Sequence, residues 1–429
     1  MPAASFVLRR QALVVPAANL SVRAIGLAMR LGLVVYLARF LGMTEVGQFG
    51  LIQGAASLTP VVLGWGITYY LGRELVGKTR LEAGRLVRDR LLLTMASVAA
   101  AGALLAALML TETIEAPGAL PWIAAILFLE ALAFDLHFAL ISVGRPITAN
   151  FLLFVRSGLW VFPAAGLGLA LPALRTLDFV LLCWTLALIA NFIALLPILG
   201  AWPLAAIARA PIDRDWIAAR MRGSKLIYLN DLGVVGMAYL DRYIVHSMLD
   251  LRATGIFVLH WAVANAVHVL VTAATVQVSL PVLVSAYRQG GDRRWRIELR
   301  TLGLRVLAIG APLSLLVFAV AVLGLPGLPA EALPFSAPLL ALMLASAVIR
   351  LLADALNYGL YSRGLDRSLA CINILGAVVA VLLSLALLPM LGLVGVGLAM
   401  VLNSTLLLVA RAVALSARDR IQHAERAGG

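Results

Sequence analysis

The stretch FLGMTEVGQFGLIQGAA (40–56) has a counterpart 208 residues further on, MLDLRATGIFVLHWAVA (248–264). Leu41, Gly47, Phe49, Leu51 and Ala56 meet identical residues at Leu249, Gly255, Phe257, Leu259 and Ala264. Each copy runs from a short polar turn into an apolar run, so the pattern predicts one structural unit used twice in the same orientation. The composition around the two copies says what solvent that unit folds in. Of 429 residues, 62% are hydrophobic and 13% charged, whereas a soluble domain averages roughly 45–50% apolar and about 25% charged. Water-soluble, disordered and disulfide-built folds are excluded.

A membrane helix needs about 20 apolar residues, and twelve runs of that kind fit: 14–38, 46–71, 91–111, 119–142, 147–170, 177–200, 226–248, 254–285, 303–325, 335–361, 368–389 and 392–414. The eighth is longer than one crossing needs; either Pro281 breaks it or it continues beyond the membrane. What remains is too thinly spread for a further folded domain. The expected fold is therefore all-α and polytopic, with about 12 transmembrane helices in two parallel-repeat six-helix bundles around a central cavity. The N-terminal lobe is 1–205, a cytoplasmic basic linker is 206–225, and the C-terminal lobe is 226–429 with a short cytoplasmic tail. Parallel repeats of this kind carry their substrate path between the halves.

The net charge is +13, which in a soluble chain would suggest nucleic acid. Here its distribution explains it. With the N-terminus inside, cytoplasmic segments hold 24 of the 34 Lys and Arg residues, and the opposite loops hold only Arg39, Arg175 and Arg252. That asymmetry is the positive-inside signature. It places both termini in the cytoplasm and leaves no role for nucleic acid. Cys183 and Cys371 fall inside apolar runs and imply no disulfide framework. Arg9 and Arg10 precede a first apolar stretch that reads as a transmembrane helix.

One motif imitates nucleotide chemistry. Gly72–Thr79, GRELVGKT, matches G-x-x-x-x-G-K-[ST], but a phosphate-cradling loop needs a preceding strand and an α/β domain supplying a magnesium ligand. No such domain is encoded, so neither nucleotide nor cofactor is expected. His137, His246, His260 and His268 show no ligand spacing, and no metal site is expected.

The informative residues are charges inside the apolar runs. A central Arg or Asp costs ~2.5–3.5 kcal/mol on insertion scales, so such residues face a bundle interior or a wet cavity. Arg23 and Arg30 are two helical turns apart on one face, and Arg156 lies near the middle of the fifth run. With Glu130 and Asp135, they leave the first lobe net positive at mid-membrane. A guanidinium presents a planar fork of donors suited to phosphate. Arg23, Arg30, Arg156 and Arg350 are accordingly the candidates for an anionic head group. Glu130, Asp135, Asp231, Asp241, Arg242 and Asp354 are the candidates for coupling or gating. Each also has a structural reading: Glu130 and Asp135 lack a basic partner in their own helix and need one from another, while Arg350 and Asp354 share a face as an ion pair or a ligand site. Arg305 and Arg411 lie near helix ends, where they are expected to snorkel.

The segment YLARFLGMTEVGQFGLIQGAASLTPVVLGWGITYYLGREL (36–75) resembles the first helix pair of the polysaccharide flippases, in the multidrug/oligosaccharidyl-lipid/polysaccharide exporter superfamily. LDRYIVHSMLDLRATGIF (240–257) is similar to the same family's seventh-to-eighth helix turn, with Asp241 and Arg242 before Gly255 and Phe257. The resemblance implies a transporter, not an enzyme. Its cargo would be an undecaprenyl-pyrophosphate-linked oligosaccharide, moved across a bacterial inner membrane by alternating access for surface polysaccharide biosynthesis. Partners would then include membrane lipids, a polysaccharide polymerase and chain-length proteins. Two other functions compete. A cation-coupled multidrug antiporter of the same superfamily wants an acidic cavity, and a membrane-embedded glycan polymerase or ligase wants catalytic residues on a large outer loop.

Overall fold

The computed structural model describes residues 25–111, 118–323 and 335–427, the side chains of 290 and 418–427 excepted. Among the described residues every regular element is helical. In chain order these are α1 (25–40), α2 (Met43–Val62), α3 (Ile67–Glu74), α4 (Arg80–Leu110), α5 (Leu120–Ser142), α6 (Pro146–Ala170) and α7 (Leu177–Leu199), then the short α8 (Leu204–Arg209) and α9 (Arg214–Gly223). They are followed by α10 (Lys225–Met248), α11 (Leu251–Gln289), α12 (Gly291–Leu323), α13 (Ala337–Ser362), α14 (Asp366–Leu391) and α15 (Leu393–Ala427). Nine of these are long and apolar enough to cross a bilayer, and the bent pair α2–α3 makes a tenth. α10 is long enough at 24 residues, but it carries Asp231, Asp241 and Arg242. That load belongs to a helix facing protein or water, not lipid.

Several helix ends differ from the hydropathy reading, each for a local reason. The expected single helix 46–71 is broken at 63–66 and bends by 62°. Trp65 and Gly66 are both left-handed there (φ 54° and 68°), and an added Cβ on Gly64 would collide with the Pro60 carbonyl. The third helix begins at Arg80, not 91. Thr79 caps it, its hydroxyl accepting from the Glu82 N–H (3.4 Å) while the Glu82 carboxylate accepts from the Thr79 N–H (3.0 Å). This reciprocal capping box satisfies donors that would otherwise be orphaned. The nucleotide-like motif is thereby absorbed: Gly72 lies in α3, Gly77 makes a left-handed turn (φ 78°), and Thr79 is a cap. The eighth helix passes through a π-helical turn at Thr272–Val276 and continues past Pro281 to Gln289, and the chain turns at Gly291 (φ 66°).

The chain divides into two compact units. One comprises Leu51–Val235 with the residues up to Tyr36; the other comprises Leu37–Gly50 with Gly236–Gly429. In the first, α5 is the hub, packing on α3, α4, α6 and α7. In the second, α13 is the hub, packing on α11, α12, α14 and α15.

The basic linker is two short helices tied to the first unit. Arg88 donates to the carbonyls of Ile207, Ala210 (2.6 Å) and Pro211 (3.0 Å), and its neighbour Asp89 accepts from the Asp213 N–H (3.0 Å). Glu74 at the end of α3 accepts from Trp216 Nε1 and pairs with Arg220 (2.7 Å).

The repeat seen in the sequence has a physical counterpart within the second unit. A Cβ on Gly47 would strike the Leu251 carbonyl, and a Cβ on Gly255 would strike the Met43 carbonyl. Met43 and Leu251, like Gly47 and Gly255, are 208 positions apart. The two contacts therefore exchange with one another, the self-complementary pattern of a two-fold relation. Small residues let the helix backbones touch, as membrane helix crossings require. A second echo appears at an offset of 220. Gly144 and Gly364 are both left-handed (φ 79° and 71°). Around them Gly144 N donates to Ile141 and Arg145 N to Leu140 as Gly364 N donates to Tyr361 and Leu365 N to Leu360. Both hub helices thus end in the same Gly-terminated cap.

Candidate functional site

The hub helices carry Glu130, Asp135 and Asp354, and the structure finds their partners on other helices. In the first unit, Glu130 of α5 meets Arg156 of α6 in an ion pair of 2.8 Å. Its other oxygen accepts from Trp184 Nε1 of α7 (3.2 Å), and Trp184 stacks on Trp160 with centroids 5.5 Å apart. Arg156 sits in a π-helical turn, Val155–Leu159, a local interruption of the α ladder that is often found at functional sites. The adjoining cavity, bordered by His137 and Asn191, is only about 10 Å³, at the limit of a single water. Arg156 is thus committed to Glu130, with little room for a head group beside it.

Asp135, less than two turns along α5, is bound more completely. Arg90 of α4 donates to it from Nε (3.1 Å) and Nη2 (3.0 Å), Thr68 of α3 donates at 2.9 Å, and Thr94 donates to the second oxygen at 2.6 Å. Arg90 belongs to the basic segment 72–90 that sequence assigns to a cytoplasmic loop, yet it is 1% exposed. The extra turns at the start of α4 bring it inside.

In the second unit Asp354 of α13 joins an imidazole and a guanidinium. His268 Nε2 of α11 lies 2.9 Å from one oxygen, and Arg411 Nη1 of α15 lies 3.2 Å from the other. Arg411 also donates to Asn373 Oδ1 of α14 (2.8 Å). Arg411 does not snorkel as expected: it is 4% exposed. The charge one turn away, Arg350, makes no hydrogen bond or ion pair among the described residues, although it acts electrostatically on Asp241, Asp354 and Arg411.

On α10 the adjacent Asp241 and Arg242 diverge. Asp241 accepts from Ser384 Oγ (2.9 Å). Arg242 donates from Nη1 to the Gly50 carbonyl (2.7 Å) and lies 4.7 Å from the ring centroids of both Tyr239 and Trp261. Two aromatic faces stand in for a counter-charge, and its Nε and Nη2 have no acceptor. Asp231 accepts from Asn230 Nδ2 (3.1 Å).

Arg30 stands apart. It is exposed, and its one hydrogen bond among the described residues runs from Nε to the Ser157 carbonyl in the π-turn (3.1 Å). Both terminal nitrogens are without an acceptor among the described residues, which leaves the outer edge of the fork open to a ligand. Arg23 lies outside the described residues. Sequence reasoning missed Arg90, Thr94, His268 and Arg411 as site residues. Their signal is spatial, because each partner lies 41 to 86 residues away. No group of three or more metal-ligating side chains occurs among the described residues.

Neither a protein-family model nor a curated protein matches the sequence. Solved structures do match. An inward-facing multidrug resistance MATE family transporter of the MOP superfamily aligns with a TM-score of 0.70 and 16% identity, covering 95% of this chain and 96% of that one. The lipid II flippase MurJ, in an inward closed conformation, aligns with a TM-score of 0.68 and 9% identity over 93% and 87%. An outward-facing MATE transporter aligns with a TM-score of 0.60 and 15% identity over 96% and 97%. The chain is a multi-pass membrane protein that shares the fold of these MATE and MurJ structures.

Proposed function

We propose that the protein is a flippase that moves a lipid-linked, phosphate-bearing oligosaccharide, carried on undecaprenyl pyrophosphate, across the bacterial inner membrane by alternating access, for surface polysaccharide biosynthesis. The observation that carries this reading is Arg30: an exposed guanidinium on α1 whose only hydrogen-bond partner among the described residues is a backbone carbonyl. A pyrophosphate or acidic sugar offers the planar pair of oxygens that such a fork takes. The charge balance points the same way. Among the described residues Glu130, Asp135 and Asp354 are each already paired with a cation, while Arg30, Arg242 and Arg350 have no carboxylate partner. A multidrug antiporter needs free carboxylate for a cationic drug. Of the acidic candidates Glu130, Asp135, Asp231, Asp241 and Asp354, only Asp231 and Asp241, each held by a neutral donor, are not already paired with a cation.

Energy would come from a gradient acting at Asp354 and His268. Protonation of Asp354 would release Arg411, which is our candidate coupling event. Arg30→Ala is expected to abolish surface polysaccharide in the producing cell with unchanged membrane abundance, and Arg30→Lys to restore part of it. Normal polysaccharide from Arg30→Ala would remove the site from the mechanism.

A further inference from the structure

Between α11 and α12 the second unit holds a cavity of about 80 Å³, walled by Val278, Val282 and Leu283 on one side and by Glu298, Leu302 and Arg305 on the other. Glu298 and Arg305 are seven residues apart, so they share one face of α12. Neither makes a hydrogen bond or ion pair among the described residues. A bordering carboxylate and guanidinium that ignore each other leave a site with two unused charges.

Its depth follows from the sequence. Arg305 is the last charged residue before the uncharged run 306–323, which spans roughly 27 Å at 1.5 Å per residue, close to the hydrocarbon thickness of a bilayer. Arg305 therefore marks the hydrocarbon boundary, and Glu298 lies about 10 Å further toward water along the helix. The rim is apolar and open: Val278, Val282 and Leu304 are 60%, 46% and 57% exposed.

We propose that this cavity is a head-group site for a zwitterionic phospholipid bearing a primary ammonium. The phosphate meets Arg305 and the ammonium meets Glu298, with the acyl chains leading away past Leu304 toward the hydrocarbon. The order of charges decides the class. Moving outward from the hydrocarbon, the protein presents a cation and then an anion; a phosphoethanolamine head group presents an anion and then a cation. Phosphatidylglycerol supplies the phosphate and neutral hydroxyls but no cation for Glu298. A choline head has no N–H to donate to Glu298.

The test is native mass spectrometry of the purified full-length chain from nanodiscs with equal amounts of phosphatidylethanolamine, phosphatidylcholine and phosphatidylglycerol. Wild type is expected to retain phosphatidylethanolamine over phosphatidylcholine by roughly fivefold, the scale of one or two partly exposed charge pairs. Glu298→Gln should bring the two to parity, and Arg305→Gln should lower retention of all three. Arg305 is exposed and Glu298 half-buried, and size-exclusion profiles matching wild type confirm folding. Equal retention of ethanolamine and choline lipids by wild type, an unchanged preference in Glu298→Gln, or phosphatidylglycerol held more strongly than phosphatidylethanolamine would each overturn the proposal. The readout needs no transport, so it stands apart from the assignment of cargo.

Discussion

At the scale of the residue, the arginines of the membrane helices divide by what they touch. Arg90, Arg156 and Arg411 are bound to carboxylates; Arg242 is clasped by a carbonyl and two rings; Arg30 keeps most of its fork free. The first group should matter for stability and the last for transport. Breaking a buried pair leaves an uncompensated charge and costs about 3 kcal/mol or more, so Arg156→Ala should lower the thermal midpoint of the purified protein markedly. The double variant Glu130→Gln with Arg156→Gln should recover part of that loss. Arg30→Ala should leave the midpoint where it is. A stable Arg156→Ala variant with lost transport would instead make Arg156 a cargo ligand. These pairings were illegible in the sequence because the partners are remote, 26 positions for Glu130 and Arg156 and 86 for His268 and Asp354. Helical spacing reports only neighbours on one helix, and it leaves Arg30 and Arg156 looking alike.

At the scale of the element, the crossing of α2 with α11 is where the repeat becomes a contact. Gly47 and Gly255 each admit the other helix's backbone, and no side chain fits. Gly47→Leu, and equally Gly255→Leu, is expected to force the helices apart and collapse folded yield, seen as loss of the monodisperse peak in fluorescence-detected size exclusion. Gly303→Leu, where a Cβ meets nothing within 4 Å, should behave as wild type. A folded Gly47→Leu protein would show that the crossing is loose. The repeat was legible in advance, since the glycines stood out as identities at a fixed offset. That its two copies touch was not, because an offset in sequence carries no information on contact. The break in α2–α3 was half legible: Pro60, Gly64 and Gly66 are its signal, but the left-handed turn falls partly on Trp65, a residue type that sequence rules do not send there. The second echo, at Gly144 and Gly364, escapes a residue-by-residue comparison because the glycine conformation and its hydrogen bonds repeat while most neighbours differ.

At the scale of the whole molecule, the bilayer made much of the fold readable. Apolar runs had to be helices, because nothing else satisfies the backbone in lipid without a closed barrel, and the placement of Lys and Arg follows from the same solvent. The cargo is a matter of which charges remain unpaired once the helices assemble, and that is a property of the packed structure. The most direct test reconstitutes the purified protein in sealed vesicles and offers two cargoes side by side, a fluorescent pyrophosphate-linked lipid oligosaccharide and a cationic dye. The expected result is transfer of the lipid oligosaccharide between leaflets, abolished by Arg30→Ala, with no movement of the dye. Gradient-driven transport of the dye without transfer of the pyrophosphate lipid would contradict the account.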